Sequence, residues 1–283
     1  MYQFPIGAMV DSFRQDTREA IKTAASIGVQ GLQMYATTGE NAPENLVGQK
    51  RKDLLNYVKD NGLIFSAICG DLGKAFIYPE RNVMLIDASK RIMDLAKELE
   101  TDVVTTHIGV IPADKTCERY KIMQAAAYEL AQYADSVGAH FAIETGPEVA
   151  ATLRAFLDDL GSTGVAVNLD PANFAMVTKD DPVQAVYTLQ KYIVHTHAKD
   201  GVNLKPCNPE DIYSEMDHGA WDKEPAFKEM PLGQGAVDFP KYLKALEEIG
   251  YKGFLTIERE VGGNPAADIK LAADYLKEII AKY

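Results

Sequence analysis

The sequence predicts an α/β protein, a (β/α)8 barrel built as a single domain over residues 1–283, with one long loop after the seventh strand. Three observations predict it. Short β-like runs alternate strictly with amphipathic helical runs, which means parallel strands joined by helical crossovers. There are eight such units in 283 residues, the size expected of a closed barrel. No G-x-G-x-x-G follows the first strand, which disfavours an open dinucleotide-binding sheet.

The units run in order. FPIGAMV (4–10) precedes the helix DTREAIKTAASIG (16–28), and GLQMYAT (31–37) precedes a helix within 46–61. LIFSAICG (63–70) leads to a long helix over 81–100, and DVVTTHIG (102–109) to another over 117–138. HFAIETG (140–146) is followed by a helix over 148–161, and VAVNLD (165–170) by one near 181–191. YIVHTHAK (192–199) opens into the Pro-, Gly- and Asp-rich segment 201–237, before the helix DFPKYLKALEEIG (238–250). A loop of this length in such a fold often covers a site. GFLTIERE (253–260) and a final helix over 266–283 close the chain. Gly28, Gly62, Gly138, Gly161 and Gly250 stop helices just before the next strand, because glycine takes the left-handed conformation cheaply.

Composition narrows the chemistry. A hydrophobic share of 47% fills a sizeable core, and a net charge of −12 repels polyphosphate, so nucleic acid is not an expected partner. Cys69, Cys117 and Cys207 are sparse, odd in number and far apart, which suits a reducing cytoplasm and excludes zinc ribbons. The N-terminus lacks a basic region before an apolar run, and no stretch is long enough to span a membrane.

Strand parity then selects candidate site residues. Outward positions on a barrel strand meet helices and should be apolar. Placing Val104, Ile143, Val167, Thr196 and Ile257 outward sends His107, Glu144, Asp170, His197 and Glu258 inward at the C-terminal strand ends. Active sites of (β/α)8 enzymes lie at that face. Carboxylates gathered there repel one another unless a cation or shared protons intervene, so a metal is expected. His195 shares the inward face one layer deeper and is expected to support the site. His140, at the opposite end of its strand, is expected to be structural, and His218 to be solvated in the long loop.

Several stretches resemble the xylose-isomerase-like TIM barrels, a superfamily of sugar and sugar-phosphate isomerases and epimerases, inosose isomerases and dehydratases, and endonuclease IV. They include IETGP, NLDPAN, HTHAKDG and PLGQGAVDF, with the strand TIERE after it, and the resemblance runs nearly the whole chain. It implies one divalent ion (Mn²⁺, Zn²⁺, Co²⁺ or Mg²⁺) held by Glu144, Asp170, His197 and Glu258. It also implies a small sugar or polyol substrate and proton abstraction next to a carbonyl through a metal-stabilised enediolate. Glu144 and Glu258 would act as acid and base on opposite sides of the substrate. His107, Glu148, Lys199 and Asn173 are candidate substrate contacts. An inosose-type dehydratase is the close alternative, since elimination starts with the same proton abstraction.

An abasic-site endonuclease is a weaker alternative. Asn173 stands where many members have histidine, and AICGDLG offers Cys69 and Asp71 where the nuclease branch has another. A carbohydrate-binding barrel would have lost the ligand set, and an amidohydrolase carries its H-x-H on the first strand. EVGGNPAAD (260–268) could cradle a phosphate at a helix N-terminus. The other rim cations are only Lys199, Lys205 and Lys74, which favours an unphosphorylated substrate. Relatives of this kind often form homodimers or homotetramers.

Overall fold

The computed structural model describes residues 2–213 and 224–282. Eight parallel strands close into a barrel: β1 (Ile6–Met9), β2 (Gly31–Tyr35), β3 (Ile64–Cys69), β4 (Val103–Thr106), β5 (His140–Glu144), β6 (Val165–Leu169), β7 (Ile193–Ala198) and, last in the chain, β10 (Leu255–Ile257). Each pairs with its sequence neighbours, β10 pairing with both β7 and β1. Helices α1 (Thr17–Ile27), α2 (Gln49–Asp60), α3 (Pro79–Glu98), α4 (Glu118–Val137) and α5 (Ala150–Leu160) follow the first five strands. Their apolar faces and the outward residues of the strands, such as Ile143, Val167, Leu169 and Ile257, form one continuous core.

The stops foreseen for the helices are present. Gly28, Gly62, Gly138, Gly161 and Gly250 all have φ between 63° and 80°. Asp16 caps α1 by accepting from Glu19 N at 3.0 Å. Among the described residues no helix is long and apolar enough to cross a membrane. His140 opens β5 and sits with Nδ1 3.0 Å from Thr163 O at the far mouth; His218 lies outside the described residues.

Two regions are more structured than the sequence suggests. After β6 the chain forms a single turn, α6 (Pro171–Asn173), then a π-helical turn over Phe174–Thr178, before α7 (Pro182–Leu189). The segment after β7 contains an antiparallel ribbon, β8 (Asp200–Asn203) with β9 (Phe227–Met230), and a short helix α8 (Glu210–Tyr213). Both α6 and α8 are too short for helical periodicity to register. Helices α9 (Phe239–Glu248) and α10 (Pro265–Lys282) complete the ring.

Asp200 ties the segment after β7 to the barrel. Its carboxylate accepts from the backbone N–H groups of Gly201 (2.8 Å), Gly233 (2.9 Å), Gly235 (2.8 Å) and Val237 (3.1 Å). This ties Asp200, in HTHAKDG, to the backbone of PLGQGAVDF. A Cβ at residue 235 would lie 2.1 Å from Asp200 Oδ1, so glycine is required there. Asp200→Asn replaces an acceptor with a donor facing N–H groups. It should lower the free energy of unfolding in urea by about 2 kcal/mol. A change under about 0.5 kcal/mol would show that the carboxylate does not organise the turn.

Candidate metal centre

His197 ends the long inward face of β7, in register with Thr256 on β10. It is fully buried, and three carboxylates surround its Nδ1. Glu258 Oε2 is 3.3 Å away, Asp170 Oδ2 3.4 Å and Glu144 Oε1 3.6 Å. One ligand atom from each of the four residues lies within 4.8 Å of all the others, a cluster that can hold a metal ion. Three oxygens and one imidazole nitrogen are a donor set suited to a divalent first-row ion or Mg²⁺.

That cluster, at the C-terminal mouth of an eight-stranded barrel, agrees with the family comparison. The family model of the xylose isomerase-like TIM barrel matches residues 21–279. The chain belongs to that family. A xylose isomerase domain protein from Planctomyces limnophilus superposes with a TM-score of 0.79 at 22% identity, covering 99% of this chain and 97% of that one. A D-tagatose 3-epimerase-like protein superposes at 0.73 and 17% identity, covering 98% and 99%. These likenesses show the fold. The L-ribulose-5-phosphate 3-epimerase UlaE of Salmonella paratyphi A is 40% identical over 62 residues, which is 21% of this chain and 22% of that epimerase.

In this xylose isomerase-like barrel each ligand is held from behind. Asp170 turns Oδ1 to the N–H groups of Ala172 (2.8 Å) and Asn173 (3.0 Å), capping α6, and leaves Oδ2 toward His197. Glu144 Oε2 accepts from Asn168 Nδ2 at 3.1 Å and Oε1 from Asn173 Nδ2 at 3.0 Å. Asn173 thus touches Glu144 directly. It reaches there because Gly146, at φ 130°, leaves room: a Cβ there would fall 2.4 Å from Asn173 Cβ. Glu258 Oε2 accepts from Lys199 Nζ at 2.9 Å, and Lys199 also reaches Glu260 Oε2 at 2.5 Å.

The imidazole is oriented from the other side. His197 Nε2 lies 3.1 Å from Gln33 Oε1, and Gln33 Nε2 lies 2.9 Å from Thr105 Oγ1. A proton on Nε2 donated to Gln33 leaves the Nδ1 lone pair facing the carboxylates, the arrangement of a metal-ligating histidine with its outer partner. Burial alone would push the His197 imidazole down, but Glu258 and Glu144 hold it well above its ordinary value. A positive charge, proton or metal, therefore belongs at Nδ1.

His195 is separate from the ligand set. It donates from Nδ1 to Asn168 Oδ1 at 2.9 Å and accepts at Nε2 from Thr256 Oγ1 at 2.9 Å. Burial, with the neighbouring His197, keeps it neutral, well below its ordinary value. The chain Thr256–His195–Asn168–Glu144 braces a ligand from beneath.

A cavity of about 420 Å³ opens above the cluster. His107 stands in its wall, with Nδ1 2.8 Å from Asp71 Oδ2 and Nε2 3.7 Å from Glu144 Oε1. Burial opposes its protonation, but Glu144 and Asp71 push its value up to about 9. The ring of Tyr213, on α8, packs against it at 5.2 Å between centroids. Cys69 lines the cavity as a neutral thiol, pushed up by burial. Gln33 and Tyr213 carry no local signal in the sequence, where Asp71 enters only as a departure from the nuclease branch and Glu260 only as the first residue of EVGGNPAAD. Gln33 is 164 residues from His197 in the chain, and one amide on a strand gives no local signal.

Glu148 lies behind the cavity wall. Its Oε2 accepts from Ile111 N at 3.1 Å, and its buried Oε1 has no hydrogen-bond partner in the structure. Burial pushes its carboxyl up to about 8, so it is protonated at neutral pH. A folded value above the ordinary 4.5 means its contribution to stability is complete below 4.5 and is lost as pH rises through about 8. Glu148→Gln keeps the shape and the acceptor but has no proton to lose. The melting temperature of the variant minus that of the wild type should be near zero at about pH 5 and grow steadily toward about pH 8. A constant difference would contradict the burial argument.

Proposed function

We propose that this barrel is a divalent-metal-dependent sugar isomerase or epimerase that moves a proton on a carbon next to a carbonyl. The convergence of three buried carboxylates on His197 Nδ1 beneath the cavity carries this reading. When bound, a divalent ion supplies Lewis acidity to a substrate carbonyl. The protein's residues supply the rest. Glu144 and Glu258 reach the cavity floor from β5 and from the end of β10, placed to remove a proton on one side and return it on the other.

Their carboxylates are held so that little reorganisation is needed. Asn168 and Asn173 fix both oxygens of Glu144, and Lys199 fixes one oxygen of Glu258. His107 Nε2 is buried and has no hydrogen-bond partner in the structure, so it is available to donate to a substrate oxygen. Asp71 sets the plane of the His107 ring. Met176, Ile212, Tyr213 and Phe227 also line the cavity, Tyr213 against the His107 ring.

The test is exchange of a substrate C–H proton with solvent, followed by NMR in D₂O over a panel of ketoses, their phosphates and inososes. Glu144→Gln and Glu258→Gln should each reduce exchange by roughly a hundredfold or more while leaving the melting temperature within a few degrees. Full exchange in both variants would contradict the assignment.

A further inference from the structure

We infer that Glu260 is a charge gate at the cavity mouth, which neutralises Lys199 and restricts the site to uncharged polyhydroxy compounds, excluding phosphate esters. The inference deepens the proposed function and rests on it for the ion beneath.

Lys199 is the cation nearest the floor and the natural partner for a substrate phosphate. Its Nζ is instead held 2.5 Å from Glu260 Oε2 and 2.9 Å from Glu258 Oε2. The Glu260 position is built rather than incidental. Arg14 Nη2 donates to Glu260 O at 2.8 Å, and Arg14 Nη1 to Gly262 O at 2.8 Å. Glu260 N donates to Glu229 Oε2 at 3.2 Å, and Arg259 anchors Glu229 at 2.6 Å. A side chain on an exposed loop is thereby aimed inward by its own backbone.

Among the described residues the charges at the cavity are largely matched. A divalent ion among Glu144, Asp170 and Glu258 leaves one negative charge in excess. Asp71 pairs with His107, and Lys199 with Glu260. A phosphate brings a charge of about −1.5 to −2 and needs arginines, lysines or a helix N-terminus to match it. Both arginines at this rim are engaged: Arg14 with two carbonyls, Arg259 with Glu229 and with Asp268 at 3.3 Å. The N-terminus of α10 carries an anion of its own. A Cβ on Gly262 would lie 2.0 Å from Asp268 Oδ2, so that carboxylate occupies the turn where a phosphate would sit. The apolar side chains of Met176, Ile212 and Phe227 suit the C–H face of a sugar or cyclitol and carry no charge to match a phosphate.

The experiment uses Mn²⁺-supplemented protein and calorimetric binding of a hexitol and its terminal phosphate, beside D₂O exchange of ketohexoses. Wild type should bind the hexitol at least roughly tenfold more tightly than the phosphate. Glu260→Gln, an exposed and isosteric change, should shrink that ratio by roughly tenfold by releasing Lys199. A wild type that binds the phosphate as tightly as the hexitol, or binds neither, overturns the gate. So does an unchanged ratio in Glu260→Gln. If discrimination holds but no ketose exchanges, the gate stands and the proton-transfer reading falls.

Discussion

The site depends on one electrostatic constraint: three buried carboxylates share a space with one imidazole nitrogen. Two unit charges 4 Å apart in a partly screened interior interact by about 4 kcal/mol, several times a typical net hydrogen bond. The convergence of Glu144, Asp170 and Glu258 on His197 Nδ1 favours a positive charge among them. The fold keeps them there by holding each carboxylate with a further donor: Asp170 Oδ1 at the start of α6, both oxygens of Glu144 on two amides, and Glu258 Oε2 on Lys199. Such a cluster is a poor device for stability, because the carboxylates would repel in an empty site. It is a good device for holding a divalent ion, which resolves the repulsion.

The supporting layer is where the barrel departs from regularity. The pairing of β2 with β3 shifts register between Leu32 and Gln33, and that of β6 with β7 between Val167 and Asn168. Gln33 and Asn168 are the two amides that hold His197 and Glu144 from beneath. A bulge re-aims a side chain and breaks the strict two-residue alternation. Here it lets these amides reach residues on other strands, and the barrel's stagger does the rest. Glu144 is level with Asn168 in the ladder, yet its carboxylate meets those of Asp170 and Glu258.

Strand periodicity made the barrel legible in the sequence, and parity made its polar strand ends legible, because burial on one face imposes both locally. The His107, Glu144, Asp170, His197 and Glu258 positions follow from that alternation, and the structure brings the last four within 4.8 Å. Other features depend on long-range pairing that no local pattern encodes. Gln33 acquires meaning only from His197, Asp71 only from His107, and Asp200 only from the turn at 233–237. The ribbon of β8 and β9 reads as loop because short polar strands carry no clear period. The arginine at position 14 lies 246 residues from the glutamate whose carbonyl it holds.

The most direct test is calorimetric titration of Mn²⁺ into chelator-treated protein, with His197→Ala and Gln33→Leu alongside. The account predicts one site per chain in the wild type and its loss in His197→Ala. Gln33→Leu should retain one site with affinity weakened about 10- to 100-fold, as loss of an outer hydrogen-bond partner does elsewhere. No saturable site in the wild type, or undiminished binding in His197→Ala, would contradict it.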